Sequence, residues 1–285
     1  MLTMVEQKKR QLLALPFVGF FFIFFVIPIA ELFWISLGEA FCLSAYREIL
    51  STPVFPTVLW NSFEISLQVA VLAVVLSIPI AQYMTKVGRK VLVLVFLSMV
   101  LPMWMSILVR SFSLIVLFQS DGILNQVLSH LNLLGGKMEL LYNRSGVLIG
   151  MTYIFIPYAT LMLYSGFRKV EQQREKIAAT LGASRWEQII YILVPQVKSV
   201  VLITFFYVLT VSLGYFITPA LLGGAKETMV AMLIDIDINQ TFNWQRGAAM
   251  SFMVLAIVMI IVICGYFVFN REIKAQLGIR DIDNG

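Results

Sequence analysis

Three ionisable side chains stand inside or at the edges of long apolar runs: Glu31, Glu64 and Arg110. An unpaired charge in hydrocarbon is costly, so such a residue must snorkel to water, pair, or line a wet path. Arg110 lies about 19 residues into its run, roughly 28 Å at 1.5 Å per residue. That count puts it near one membrane face, level with Glu31 and Glu64. It either snorkels or pairs with one of these acids, or it forms the charged mouth of a solute path. Trp104, Tyr153, Tyr158, Tyr215 and Phe216 occupy the same apolar surroundings. Aromatic rings can hold an amine by cation–π attraction, weakly enough to release it. Helix packing or interfacial anchoring is the alternative for each. Tyr215-Phe216 beside Thr218-Pro219 is the strongest of the set, because a proline-broken helix frees carbonyls that can line a cavity. Thr218 adds a hydroxyl there.

Bond-making chemistry finds no comparable support. A phosphate-cradling loop needs Gly, four residues, Gly-Lys and then Ser or Thr. Here Gly136-Lys137 runs into Met138 without the upstream spacing. His130 is the lone histidine and has no partner cluster for metal or acid–base work. Cys42 and Cys264 belong to different sides or depths of the membrane, which implies neither a disulfide nor a metal site. Work driven by ATP would therefore need ATP held by another chain.

These residues are carried by a chain of 285 residues that is 60% hydrophobic and 13% charged, with mean hydropathy +0.88. A soluble domain carries nearly twice that share of charge. Six charge-free runs reach the roughly 20 residues that a bilayer crossing requires: Gln11–Ala30, Ile65–Thr85, Val91–Val109, Ser145–Phe167, Ser199–Ala225 and Gly247–Asn270. Lipid offers the backbone no partner, so each must be a helix. The expected architecture is all-α and polytopic, a single membrane domain over 1–285, with spans at about 11–34, 62–85, 91–118, 145–167, 199–222 and 247–270. Pro16, Pro28, Pro79, Pro102, Pro157 and Pro219 fall in or at the ends of these spans, where kinks are tolerated. Between the third and fourth spans, Ile123, Leu124, Val127, Leu128 and Leu131 predict a one-sided apolar helix that lies at the membrane surface or caps the bundle.

With six spans both termini share a side. That side, with the second-to-third connection and the 168–198 loop, holds fifteen Lys or Arg, against five in the opposite loops. The bias places both termini in the cytoplasm and reads the net charge of +5 as a topology signal rather than a nucleic-acid footprint. The opposite loops hold seven acids, a mildly negative rim.

The longest polar interruption is 171–195, EQQREKIAATLGASRWEQIIYILVP. Ala178 and Gly182 lie four apart, as do Ala179 and Ala183, so a helix here shows a nearly bare face that lets another surface approach its backbone. Gly182 suits a helix end or turn, and Ser184 suits the cap of a second short helix ending near Pro195.

At these residues the chain resembles the membrane-spanning permease subunits of ATP-binding-cassette importers. Their cytoplasmic coupling loop reads Glu-Ala-Ala, three residues, Gly, nine residues, Ile, any residue, Leu, Pro. Gly182, Ile192 and Pro195 keep that spacing and Ala178 fills the second alanine. Lys176 stands at the family's Glu, with Glu175 one residue early; Ile177 and Val194 replace Ala and Leu. Two further stretches are similar to the polyamine-permease branch. One is Leu101-Pro102-Met103-Trp104-Met105-Ser106 with Leu108-Val109-Arg110-Ser111 and Gly122-Ile123-Leu124-Asn125; the other runs from Ser212 to Gly224. Many members have Asp at Tyr215 and an acid at Ala220, so this chain offers a polycation less negative charge than they do.

The resemblance implies a type I, binding-protein-dependent importer permease in a bacterial inner membrane. Its implied partners are two ATPase subunits carrying ATP and Mg2+, a second permease (a similar chain or another copy of this one), an extracytoplasmic solute-binding protein and membrane lipid. The implied cargo is a small nitrogen-containing organic solute, polyamines first and opine or amino-acid-like compounds next. An ion-gradient-driven transporter is the alternative, and it would need buried acids near mid-membrane that the span centres lack. A scaffold that anchors soluble partners is a third reading, and it predicts no dependence on any solute.

Overall fold

A membrane helix gains little from apolar contact alone, because lipid is as apolar as leucine, so close approach of backbones through small residues decides which helices meet. The second long helix has such a stripe. Ser62, Ser66, Ala70, Ala73, Ser77 and Ala81 recur at three or four residues and are all fully buried. In the computed structural model, which describes residues 16–38, 43–130, 138–168 and 194–277 with Thr180, Gly182, Ser184, Glu187 and Tyr191, the stripe from Ala70 to Ala81 packs with the helix Arg144–Phe167, while Ser62 accepts from the Val230 N–H. Ser77 Oγ donates across to the Ile156 carbonyl at 3.2 Å.

The helices, in chain order, are α1 (Pro16–Leu37), α2 (Ser44–Ser51), α3 (Val54–Lys86), α4 (Arg89–Trp104), α5 (Ile107–Phe118), α6 (Ile123–His130), α7 (Arg144–Phe167), α8 (Val194–Leu213), α9 (Ile217–Leu222), α10 (Val230–Asp235) and α11 (Trp244–Leu277). No strand occurs among the described residues. Among them, six helical stretches are long and apolar enough to cross a membrane: Pro16–Leu37, Val54–Lys86, Ile107–Val127, Arg144–Phe167, Val194–Leu213 and Trp244–Asn270.

Two expected spans are not continuous. The span expected at 91–118 is divided between α4 and α5 by extended residues at Met105 and Ser106. The span expected at 199–222 is divided between α8 and α9 across 214–216. Pro102 and Pro219 stand near these breaks, whereas Pro79 and Pro157 lie inside unbroken helices. A proline thus marks where a helix can break; it does not decide that it will. Helix α6 forms as expected, but Ile123 and Val127 are exposed and Asn125 is buried. The Asn125 amide donates to the Gln119 and Met138 carbonyls and accepts from the Met138 N–H. This polar staple ties the helix to its flanking segments, and Leu124 of the stripe packs on the core.

The chain divides into two units. One comprises residues up to Pro56 with Leu233–Ala256, the other Thr57–Met232 with the residues from Ile257 on. In the larger unit α7 is central: α4, α5, α8 and α9 all pack on it. Its core gathers Ile65, Val69, Leu114, Met151, Phe155 and Val208. A second cluster, Ala81, Leu163, Phe167 and Val197, joins α3, α7 and α8.

In the smaller unit Ser36 donates to the Phe33 carbonyl and meets the Tyr46 hydroxyl at 2.8 Å, tying α1 to α2. Asp237 is buried, with its carboxylate 3.2 Å from Arg246. Burial pushes its carboxyl above the usual range; Arg246 opposes that shift and Glu48 adds to it. The folded state therefore holds this proton more tightly than the unfolded state, and stability falls as pH rises from the ordinary carboxylate value through the raised one. Asp237→Asn, which keeps the shape and removes the titrating group, is expected to flatten that slope. Thermal unfolding in detergent across this pH window checks it: parallel curves for the two proteins would refute the assignment.

Candidate functional site

The two helix breaks come together. Beyond them, α5 and α9 pack on each other and on α7. Ser111 Oγ and Thr218 Oγ1 meet at 3.1 Å, both fully buried. Gly150 of α7 makes room for this pair: a Cβ there would stand 3.2 Å from Thr218 Cγ2. On the α8 side, the Tyr215 ring packs on Phe155 with centroids 5.2 Å apart, and Tyr158 lies 6.4 Å from Phe155. Thus Ser111 and Thr218 form one buried polar pair, and Phe155, Tyr158 and Tyr215 one aromatic cluster, with Arg110 directly before Ser111 in α5. Phe216, in the second break, is 37% exposed beside Tyr215.

Arg110 is only 7% exposed and does not snorkel. Nor does it pair with Glu64, whose carboxylate is 2.7 Å from Arg144 and also accepts from Gln68. Thr218, the partner of its neighbour Ser111, lies against Gly150 of α7, roughly 9 Å from the Arg144 end at 1.5 Å per residue. Trp104 is 87% exposed and Tyr153 44% exposed.

Ser111 and Phe155 were not singled out from the sequence. Ser111 directly follows Arg110, and Phe155 stands three residues before Tyr158 in α7. Those spacings were the available signal, but an isolated hydroxyl or phenylalanine in an apolar run is ordinary.

Of the polar loop, Glu175, Lys176, Ala178, Ala179, Ala183 and Ile192 lie outside the described residues. Gly182 has φ +86° and open space where a Cβ would be. That is the left-handed turn geometry expected at a helix end. Ser184 and Glu187 then bond reciprocally: the Ser184 N–H donates to Glu187 Oε2 at 2.7 Å and the Glu187 N–H to Ser184 Oγ at 3.3 Å. This is a capping box, the start signal of a helix. The bonds from Ser184, side chain first and backbone second, hold the Glu187 carboxyl below its ordinary value. Pro195 is the second residue of α8, where its missing N–H removes no helical bond.

The chain matches the family described as "Binding-protein-dependent transport system inner membrane component" over residues 8–271. It is 29% identical over 237 residues to the spermidine/putrescine transport system permease protein PotB of Escherichia coli (strain K12), covering 83% of this chain and 86% of that one. Among solved structures, it superposes with TM-score 0.77 and 17% identity on a chain of a bacterial ABC transporter involved in import of the acidic polysaccharide alginate, covering 95% of this chain and 99% of that one. A structure of bacterial alginate ABC transporter with its alginate pentasaccharide-bound periplasmic protein gives TM-score 0.76 at 18% identity, covering 94% and 96%.

Proposed function

We propose, from the fact that this chain belongs to the family of binding-protein-dependent transport system inner membrane components, that its two broken spans line the translocation path for a small nitrogen-containing organic solute. The chain is a multi-pass inner-membrane permease subunit of an ABC importer; it is a transport component and not an enzyme. Its relatives named for spermidine and putrescine put polyamines first among candidate solutes, with opine or amino-acid-like compounds next. A solute-binding protein delivers the cargo on the outer side, as the alginate system does with its periplasmic protein.

The observation that carries the path assignment is the meeting of the two breaks. Discontinuous helices in transporters free backbone groups for a site inside the membrane, and such backbone is tolerated only against protein or a wet cavity. Here Met105, Ser106, Gly214 and Phe216 are exposed beside a buried arginine.

Motion enters from the cytoplasmic side. Both termini and the 171–195 loop face the cytoplasm, where two ATPase subunits hold ATP and Mg2+ and a second permease completes the pair. The loop, with its glycine turn and capped helix, seats in a cleft of the ATPase. Closure of the ATPase pair then rocks the helices as rigid bodies. The packing of α3, α7 and α8 through Ala81, Leu163, Phe167 and Val197 suits this, because dense cores transmit displacement.

Uptake into proteoliposomes holding the complete importer tests the reading. Transport is expected to require both ATP and the binding protein. Uptake that persists without ATP and collapses with an ion gradient would refute it.

A further inference from the structure

The first turn of α5 is poorly explained by packing alone. Ser106 supplies no side-chain cap, and the first N–H groups of the helix have no acceptor within it. That end of a helix carries partial positive charge. Arg110 stands at the end of that turn, and long helical side chains lean back toward the N-terminus. A cation near that end has the wrong sign for the helix dipole. It is also more than nine-tenths buried, and among the described residues its Nε has no hydrogen-bond partner. Among the described residues no carboxylate pairs with it: Glu64 is engaged by Arg144, and Asp237 and Glu48 by Arg246. A buried cation therefore stands one turn from a helix N-terminus with no described anion to offset it.

We infer that this place, one turn into α5, binds a carboxylate of the transported solute, held by the Arg110 guanidinium. The inference rests on the permease reading above and narrows its cargo from amines at large to compounds bearing both an amine and a carboxylate. A solute made only of amines meets repulsion at Arg110. A carboxylate meets charge-assisted donors in a medium where they are stronger than in water. The Phe155–Tyr158–Tyr215 aromatic cluster supplies faces for the cationic or alkyl remainder.

Decarboxylation pairs isolate the one group that matters: ornithine against putrescine, and arginine against agmatine. Uptake of each is measured in proteoliposomes holding the complete importer with its binding protein. The carboxylate-bearing member is expected to be preferred. Arg110→Gln is expected to shift the ornithine-to-putrescine and arginine-to-agmatine ratios about tenfold toward the amines, on the scale of one lost charge-assisted bond. Arg110→Lys is expected to retain part of the preference, since it keeps the charge without the planar fork. A ratio within one variant does not move when folded protein is merely lost, so misfolding cannot imitate the result. Uptake of no carboxylate-bearing probe, or ratios that Arg110→Gln leaves unchanged, overturns the inference. ATP-driven uptake of putrescine and agmatine alone removes this inference and keeps the permease reading; ATP-independent uptake removes the permease reading itself.

Discussion

Gly182→Tyr is expected to leave the chain inserted and folded while abolishing ATP hydrolysis coupled to transport. Among the described residues a Cβ at 182 meets nothing within 4 Å. The backbone does oppose it: φ is +86°, where an L side chain costs about 1–2 kcal/mol. A tyrosine adds bulk on the face proposed to seat against the ATPase. Gly182→Ala separates the two effects, since it carries the backbone strain with almost none of the bulk. The expected order is full coupling in the native chain, partial coupling with alanine and none with tyrosine. The check is binding-protein-stimulated ATPase activity in nanodiscs, with membrane level measured in parallel. Normal stimulation of the tyrosine variant would place the motor contact somewhere other than this turn.

Gly146→Val is expected to have the largest effect on folding. Gly146 opens α7, and its N–H donates to Asn143 Oδ1 at 3.0 Å, the cap of that helix. A Cβ at 146 would overlap the Leu140 carbonyl oxygen, which is backbone and cannot rotate away. Relief requires moving either the 138–143 segment or the start of the central helix. Overpacking of this kind costs about 1–3 kcal/mol or more, and here it displaces the helix against which α4, α5, α8 and α9 pack. Loss of monodisperse protein after extraction is the expected readout. Gly19→Ala, with nothing within 4 Å, is the matched control and should behave as the native chain. Equal yields for both variants would show that the 138–143 segment yields easily.

The lesson of these positions is uneven. Gly182 was legible because left-handed turns favour glycine and the spacing to Ile192 and Pro195 fixed its place in a known loop. Ser184 was legible as a cap for the same local reason, and its reciprocal partner Glu187 follows from a four-residue pattern. Arg110 was legible as an unusual residue, but its surroundings were not. Its burial depends on α5 meeting α9, and these helices are about a hundred residues apart in the sequence, beyond the reach of any local pattern. The pairing of Glu64 with Arg144 was hidden likewise, since salt-bridge choice depends on helix rotation and depth. The apolar stripe located α6 but did not show what anchors its ends, because in a membrane protein an exposed leucine or valine carries little penalty while an unmatched backbone group carries a large one. Asn125, which satisfies such groups, was the better guide.

The sequence alone determined that the chain is a helical membrane protein of six apolar crossings with a family-typed polar loop, because bilayer thickness, backbone satisfaction and turn chemistry act on neighbouring residues. Only the tertiary structure decided that two crossings are broken, that their far halves pair through Ser111 and Thr218, and that Arg110 is enclosed with its Nε unpartnered among the described residues. Small residues such as Gly150 and the α3 stripe permit close approach, but which helices use it is settled by packing energy summed over distant segments.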